Sequence, residues 1–161
     1  AVTNIEGLRG QIVALPDRLT VISIMGSAYL QRHGIQPDSD ITLLDAKSHN
    51  NAAIAVDRGT ATAAIIGSAP LAQLPDELRN RLRVIATTES IPSQFILLNS
   101  KVEAALASRI KAALIKFSHS QIGKDFLKEN GFGGLSTVSE EDWKRLDKYT
   151  AEAEKLMNQV P

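Results

Sequence analysis

Short apolar runs alternate along the first 90 residues with stretches in which apolar residues recur every three or four positions. The runs lie at residues 11–15 (QIVAL), 41–44 (ITLL) and 61–67 (ATAAIIG). Runs this short, with no polar alternation, are typical of strands that are covered on both faces. The resulting β-α-β-α-β series predicts a mainly parallel sheet with helices on its faces.

Local signals mark where the helices begin and end. Thr20 and Ser48 each have a hydroxyl that can cap a helix start, and Gly34 and Gly59 lie where the two helices would need a left-handed residue to stop. The sequence therefore predicts one helix between the first and second strands and another between the second and third.

Residues 68–98 are predicted to extend this pattern. A helix over residues 68–82 is expected to break near Pro75, because proline cannot continue a helix. Residues 83–88 (RVIATT) and 94–98 (QFILL) are predicted as a fourth and a fifth strand, joined by a stiff turn at Ser90-Ile91-Pro92. We thus expect an α/β fold with a three-layer, mainly parallel sheet of four or five strands.

From Ser100 onward the pattern is helical. One apolar stripe steps by three and four residues and is predicted to be core; it comprises Val102, Leu106, Ile110, Ala113 and Phe117. A shorter helix is expected over residues 118–131. A last helix should start at a capping box formed by Ser139 and Asp142, with an apolar side made of Trp143, Leu146, Tyr149 and Leu156.

These patterns divide the chain into two predicted parts. Residues 1–90 form an α/β part, and residues 91–161 form a further strand and a C-terminal helical segment. We expect the second part to fold back on the chain's own sheet or to pair with a second copy, because it would otherwise expose a large apolar patch. A homodimer through the C-terminal helices is one form of that expectation.

Composition narrows the classes of function. The chain has 161 residues, with 18 basic and 18 acidic side chains, so no overall positive field favours nucleic acid as a partner. The absence of cysteine removes disulfides, thiolate nucleophiles and thiolate metal ligands. No stretch reaches the roughly 20 apolar residues that a bilayer-spanning helix needs.

Candidate chemistry lies at the carboxyl ends of the first two strands, where ligands bind in open α/β sheets. Thr20 and Ser23 follow the first strand, and Ser48, His49 and Asn50 follow the second. These helix starts offer hydroxyls, an imidazole and free backbone amides without a nearby lysine or metal cluster. They predict a site for a small tetrahedral oxyanion whose charge is neutralised by helix dipoles. If His49 donates a proton to that oxyanion as an imidazolium, the affinity for the oxyanion should fall as pH rises past the pKa of His49.

Other interpretations of the same residues remain open. Ser48 can simply cap its helix while His49 simply points at water. Catalysis has little support, because neither His33 nor His119 has a recognisable nucleophile or acid partner. A metal site built from His49, His33 and Asp17 matches no familiar ligand spacing. We therefore predict no enzyme activity, no metal and no cofactor.

Four segments together resemble the phosphonate- and phosphate-type periplasmic solute-binding proteins of bacterial uptake transporters. They are LRGQIVALPDRLT (8–20), HGI (33–35), SHNNAAIAVDRGTATAAIIG (48–67) and LRVIATTESIPSQFILLNSKV (82–102). The most specific parts are the Ser-His before a helix that ends in glycine and the RVI…S-IP crossover. The resemblance begins at the second lobe of that fold and implies that a first lobe should precede residue 1.

The resemblance also implies a ligand set. The family's hydroxyl-rich grip on phosphonate oxygens corresponds to the stretch from Thr20 through Val21 to Ser23, and the family histidine corresponds to His49. The acidic residue that family members use for an aminoalkyl tail has no counterpart in residues 61–67.

These expectations lead to two hypotheses for function. The first is a receptor for phosphate, phosphite or a phosphonate that serves an ABC-type transporter permease or a sensor kinase in the periplasm. The alternative is a degenerate module that has lost its ligand and acts as a protein–protein interaction or dimerising sensor domain.

Overall fold

The computed structural model describes residues 2–92 and 94–157. A 3-10 turn at Glu6–Leu8 precedes the first strand. The strands are β1 (Ile12–Leu15), β2 (Thr42–Asp45) and β3 (Ala63–Ala64), and the helices are α1 (Val21–Arg32), α2 (His49–Asp57), α3 (Ser68–Ala72), α4 (Asp76–Arg79), α5 (Ala104–His119), α6 (Gln121–Glu129), α7 (Glu140–Asp147) and α8 (Thr150–Met157).

The three strands form one parallel sheet in the order β2-β1-β3. The register pairs Leu15 with Asp45 and Ala14 with Ala64, so β1 is hydrogen-bonded on both sides. The prediction of an α/β fold with a parallel sheet is confirmed. The predicted number of four or five strands is wrong for the described residues, which form three.

Residues 83–88 and 94–98 are not strands in the described structure, although their composition suits β-structure. A strand is stabilised by backbone hydrogen bonds to a neighbour, and within the described ranges neither segment pairs with the sheet. Several of their apolar side chains are correspondingly open to solvent: Val84 is 62% exposed, Ile96 61% and Leu97 82%. Intrinsic β-propensity without a pairing partner therefore does not make strands of these segments.

Helices cover the two faces of the sheet. On one face, Val13 packs with Leu30 of α1 and with Ile35, and on the other Ala14 packs with Ala52 and Ala55 of α2. Successive β1 side chains point to opposite faces, which explains why Val13, Ala14 and Leu15 are all at most 1% exposed. The three-layer arrangement predicted from the continuous apolar runs is present.

Most helix boundaries agree with the sequence signals. Gly59 has φ +73° directly after the last residues of α2, as a glycine stop requires. The helix predicted over residues 68–82 is broken at Pro75 into α3 and α4, as expected. The last predicted helix is instead two helices: α7 ends at Asp147, and α8 begins at Thr150.

The apolar stripe of α5 is not core, contrary to the prediction. Leu106 is 46% exposed and Phe117 37%, and Ser118 is the buried residue of this helix. The helix packs mainly on α6, where the Phe117 and Phe126 rings meet edge to face. Fold-back onto the chain's own sheet and pairing with a second copy both stay predictions.

The end of the chain does return to the first part of the fold. Tyr149, 6% exposed, packs with Ile24 and Met25 of α1. Its hydroxyl donates to Glu89 Oε1 at 2.6 Å, and Lys148 Nζ lies 2.6 Å from the same oxygen. The side of α1 that faces away from the sheet is thereby covered by the C-terminal helices.

None of the helices in the part of the chain that the structure describes has the length and apolar character needed to cross a bilayer.

Candidate functional site

Three chain turns leave the same edge of the sheet, at the carboxyl ends of the strands. The Ala46 amide donates to the Leu15 carbonyl at 2.8 Å, and the Ile65 amide donates to the Ala14 carbonyl at 2.8 Å. The three strands therefore end at nearly the same level. The helices that follow them, α1, α2 and α3, all begin at this edge, which is where ligands bind in open parallel sheets.

Thr20 organises the start of α1. Its side chain accepts a hydrogen bond from the Ser23 amide at 3.3 Å, and its hydroxyl lies 2.8 Å from Ser23 Oγ and 2.9 Å from the Asp17 carbonyl oxygen. Ser23 is 1% exposed, so its hydroxyl supports Thr20 from within the protein. The amides of Val21 and Ile22 donate to no protein group in the described residues.

Ser48 organises the start of α2 in the same way. Its hydroxyl accepts a hydrogen bond from the Asn51 amide at 3.1 Å. The amides of His49 and Asn50, the first two residues of α2, have no protein acceptor within the described ranges. Both predicted caps are thus confirmed as caps, and each leaves two helix-start amides available.

His49 links the second and third strand ends. Its Nδ1 accepts a hydrogen bond from the Gly67 amide at 3.3 Å, and Gly67 is the residue before α3. Since β2 and β3 lie on opposite sides of β1, this contact carries the His49 ring across the carboxyl end of the central strand. The sequence analysis did not predict Gly67 as a site residue. Gly67 precedes a helix that follows a strand, so the reasoning that identified the starts of α1 and α2 as possible binding positions would also have identified the start of α3.

Burial lowers the pKa of His49 below its ordinary value. The ring is half-buried, and the Gly67 amide can only donate, so Nδ1 must be an unprotonated acceptor in this geometry. Both observations favour the neutral imidazole. The sequence-based expectation of an imidazolium donor does not fit this contact.

Two cations border the site, although no nearby lysine was expected. Arg18 makes a double hydrogen bond to Asp38, at 2.6 and 2.7 Å, and Lys47 Nζ lies 2.7 Å from Asp45 Oδ2. The bond from Arg18 lowers the pKa of Asp38, and the bond from Lys47 lowers the pKa of Asp45. Each cation is therefore paired with a carboxylate.

Acidic residues are distributed unevenly among the helix starts. The first turns of α1 and α2 contain none, as is also true of α3, α5 and α6, whereas α4 begins with Asp76 and Glu77 and α7 with three acidic residues in succession. A carboxylate in a first turn satisfies the amides and the positive end of the dipole. The starts of α1 and α2 thus keep their capacity for an external anion.

The structure brings five of the six sequence-predicted residues to this edge with a defined local role. Thr20 and Ser48 cap, Ser23 supports Thr20, and Val21 and His49 begin their helices. Asn50, in the first turn of α2, is exposed. His33 lies at the other end of α1, stacked on Tyr29, and among the described residues no three His, Cys, Asp or Glu side chains are grouped to hold a metal.

The fold is that of the periplasmic-type binding proteins. Two structures of XAC2383 from Xanthomonas citri, bound to chloride ion and bound to ATP, superpose with TM-scores of 0.72 at 16% sequence identity. They cover 99% of this chain, which in turn covers 63% and 64% of those chains. At that identity the likeness shows the fold alone.

The sequence itself assigns the family. Residues 1–143 match the family model described as ABC transporter, phosphonate, periplasmic substrate-binding protein, and the chain belongs to that family. A search of proteins with curated functions found no match. The chain spans less than two thirds of the XAC2383 length.

Proposed function

We propose that this chain is a solute-binding receptor domain for a small tetrahedral oxyanion such as phosphate, phosphite or a phosphonate. Membership of the phosphonate family supports the class of ligand. The observation that carries the proposal is the pair of helix starts, α1 and α2, that share one sheet edge and lack acidic residues in their first turns. XAC2383, of similar fold, is bound to anions in both structures.

The proposed ligand contacts are of two kinds. Backbone amides at Val21, His49 and Asn50 donate to the anion oxygens, since helix-start amides have no partner within their own helix. Side chains contribute the Thr20 hydroxyl, with Ser23 fixing its position, and the His49 ring. Ser48 holds the start of α2 in place through its cap.

Charge compensation in this site comes from dipoles. Arg18 and Lys47 are already paired with Asp38 and Asp45. An anion at the helix starts would have to break one of these pairs to gain a cation. The aligned peptide dipoles of α1, with 12 residues, and α2, with 9, supply positive ends without that cost.

The wider role is part of the same proposal. The domain acts outside the cytoplasm without enzyme activity and delivers its ligand to an ABC-type transporter permease, or signals to a sensor kinase. Residues 1–90 form the ligand-binding lobe, and residues 91–161 form the crossover and the helices that connect it to the rest of the assembly. We expect no nucleic acid partner, because a net charge of zero gives no overall attraction to phosphate backbones.

Calorimetry with phosphate, phosphite, methylphosphonate and sulfate tests the proposal on the full chain. We expect at least one anion to bind, and Thr20→Ala to weaken it while Thr20→Ser, which keeps the hydroxyl, does not. Ser139→Ala is the matched control, because it removes a helix cap at α7, away from the sheet edge. Binding of no anion, or equal loss in the control, would contradict the proposal.

A second candidate function rests on the uncovered apolar surface. Phe95 and Trp143 stack with ring centroids 5.5 Å apart yet remain 37% and 49% exposed, next to Ile96 and Leu97. Such a patch is typical of a protein interface. In this alternative the chain is a dimerising or interaction module that works without a small ligand.

Sedimentation over a range of protein concentrations separates the two candidates. An interaction module should self-associate through the C-terminal helices regardless of added phosphate. Trp143→Lys, in α7, should then abolish association, whereas Val84→Lys, at an exposed apolar position outside these helices, serves as the control. A monomer at all concentrations would remove the homodimer from consideration.

A further inference from the structure

His49 has two ring nitrogens in different surroundings. Nδ1 is occupied by the Gly67 amide at 3.3 Å. Within residues 2–92 and 94–157, Nε2 has no protein partner, and no buried side-chain nitrogen or oxygen lacks one. Nε2 is therefore accessible to solvent at the sheet edge.

A backbone amide has no lone pair to offer, so the contact with Gly67 fixes the protonation of the ring. Nδ1 must keep its lone pair for the bond, and the single ring proton of the neutral imidazole then resides on Nε2. Protonating Nδ1 would place two N–H groups against each other and break the bond. The half-buried position of the ring also favours the neutral imidazole, because burial lowers the pKa of His49.

The charged neighbours leave this state undisturbed. On the loop before α2, Asp45 is bonded to Lys47, and on the loop before α1, Arg18 is bonded to Asp38. The remaining titratable residue of these loops is Asp17, whose Oδ1 accepts from the Leu19 amide at 2.8 Å. Helix α3, which begins next to the ring, has the sequence SAPLA and carries no charge. Burial is the one cause that moves the pKa of His49, with no contribution from a charged group.

We infer that His49 serves as a neutral Nε2–H donor and that the site therefore takes a phosphite or a phosphonate in its fully deprotonated, doubly charged form. This inference rests on the proposed function, which supplies the ligand. Most groups around the ligand would be backbone amides and an imidazole N–H, which can only donate, whereas the Thr20 hydroxyl can also accept. A protonated ligand oxygen that faces the amides or the imidazole would lose a hydrogen bond.

The state of the ring is tested in the free protein by long-range proton–nitrogen NMR correlation on histidine labelled with nitrogen-15. We expect His49 to show a protonated Nε2 and a bare Nδ1 at neutral pH, and to titrate below the ordinary pKa of histidine. A protonated Nδ1, or titration at or above that ordinary pKa, would overturn the inference whatever the protein binds.

The second part of the inference, the protonation state of the bound ligand, is tested by calorimetry with methylphosphonate as a function of pH. The affinity for methylphosphonate should rise while this ligand loses its second proton and then stay level at higher pH. A required imidazolium would instead lower affinity about tenfold for each further pH unit. That fall would overturn the inference.

Variants at the ring sharpen the result. His49→Ala should weaken methylphosphonate binding about tenfold to a hundredfold, because a hydrogen bond to a charged group is lost. His49→Gln, which offers a neutral N–H donor, should recover most of that loss at every pH. Recovery absent in His49→Gln would contradict the donor role. If the unaltered protein binds no anion, the proposed function and the inference about the ligand's protonation state fail together. The NMR result still decides the state of the His49 ring.

Discussion

Strand β1 and the segment at residues 95–98 have similar sequences, IVAL and FILL, but only the first belongs to a sheet. In β1, Val13 and Leu15 are at most 1% exposed, with hydrogen-bonded neighbours on both sides. In the second segment, Leu97 is 82% exposed and the described residues offer no pairing strand. The difference shows that the neighbours, and not the apolar run itself, decide whether such a run becomes core.

The same contrast separates the two parts of the chain. Around the sheet, α1 buries Leu30 and α2 buries Ala52 and Ala55 against β1. Beyond residue 92, α5 and α6 pack chiefly on each other, and their apolar side chains Ile122 and Phe126 stay 76% and 52% exposed. The first part should therefore determine global stability, and the second should respond locally.

The largest expected effect on stability comes from comparing a leucine truncation in β1 with one in residues 95–98. Leu15→Ala should lower the free energy of unfolding by about 2–5 kcal/mol, because it leaves a cavity in the buried centre of the sheet. Leu97→Ala should change it by less than about 0.5 kcal/mol, as at other exposed positions. Urea unfolding measures both. Equal losses would mean that residues 95–98 are packed in solution.

A pair of glycines gives the next largest effect. A Cβ on Gly26 would lie 2.6 Å from Ile65 Cγ2, and one on Gly123 would lie 1.8 Å from the Phe117 carbonyl oxygen. Gly26→Ala should cost about 1–3 kcal/mol of global stability through overpacking between α1 and the sheet.

Gly123→Ala should instead open the α5–α6 junction while the sheet stays intact. Amide hydrogen exchange distinguishes these outcomes, because protection of β1 should fall in the first variant and be retained in the second. Loss of β1 protection in Gly123→Ala would show that the two parts unfold as one unit.

Helix caps give a smaller effect. Ser48→Ala should destabilise the protein by about 1 kcal/mol, whereas Ser48→Asn, another good cap, should be nearly neutral. Ser139→Ala removes the capping box of α7, where Ser139 Oγ accepts from the Asp142 amide at 3.1 Å. Its effect should be confined to α7 and visible as faster exchange there. A global loss as large as that of Ser48→Ala would be evidence against a locally stable α7.

The smallest expected effect is the acid response of the surface pairs. The bond from Arg18 lowers the folded-state pKa of Asp38, so the pair contributes stability above the unfolded pKa of Asp38 and loses it as pH falls through the folded pKa. Asp38→Asn should remove this response at a cost of about 0.2–1 kcal/mol at neutral pH.

Asparagine is the appropriate substitution at position 38, because Asp38 has φ +65° and asparagine tolerates that conformation. The stability difference between wild type and Asp38→Asn should shrink as pH falls below 4. A difference that grows toward acid pH would contradict the assigned pairing.

Sequence signals predicted the parts of the fold that depend on near neighbours. Thr20 and Ser48 each bond to an amide three residues along the chain, so a capping residue before an apolar periodicity was enough to place α1 and α2. Pro75 breaks a helix through its own ring. The candidate site edge followed from these helix starts and the parallel order of the strands.

Features that depend on distant partners could not be predicted in this way. The bond between His49 and Gly67 joins residues 18 apart, and the Tyr149–Glu89 bond joins residues 60 apart. Residues 94–98 have the composition of a strand, and nothing in that composition says whether a neighbour is present. The stripe of α5 has helical periodicity, which indicates an apolar face but not what covers it.

The uncharged segment at residues 90–100 has a consequence for handling the protein. From Ser90 to Ser100 the chain contains no charged side chain, and the isoelectric point of the whole molecule is about 7.1. In a neutral buffer, colliding molecules thus meet little mutual repulsion while they share this apolar, uncharged sequence. Preparations should stay clear for longest in buffers well away from neutrality, and should turn turbid first near pH 7.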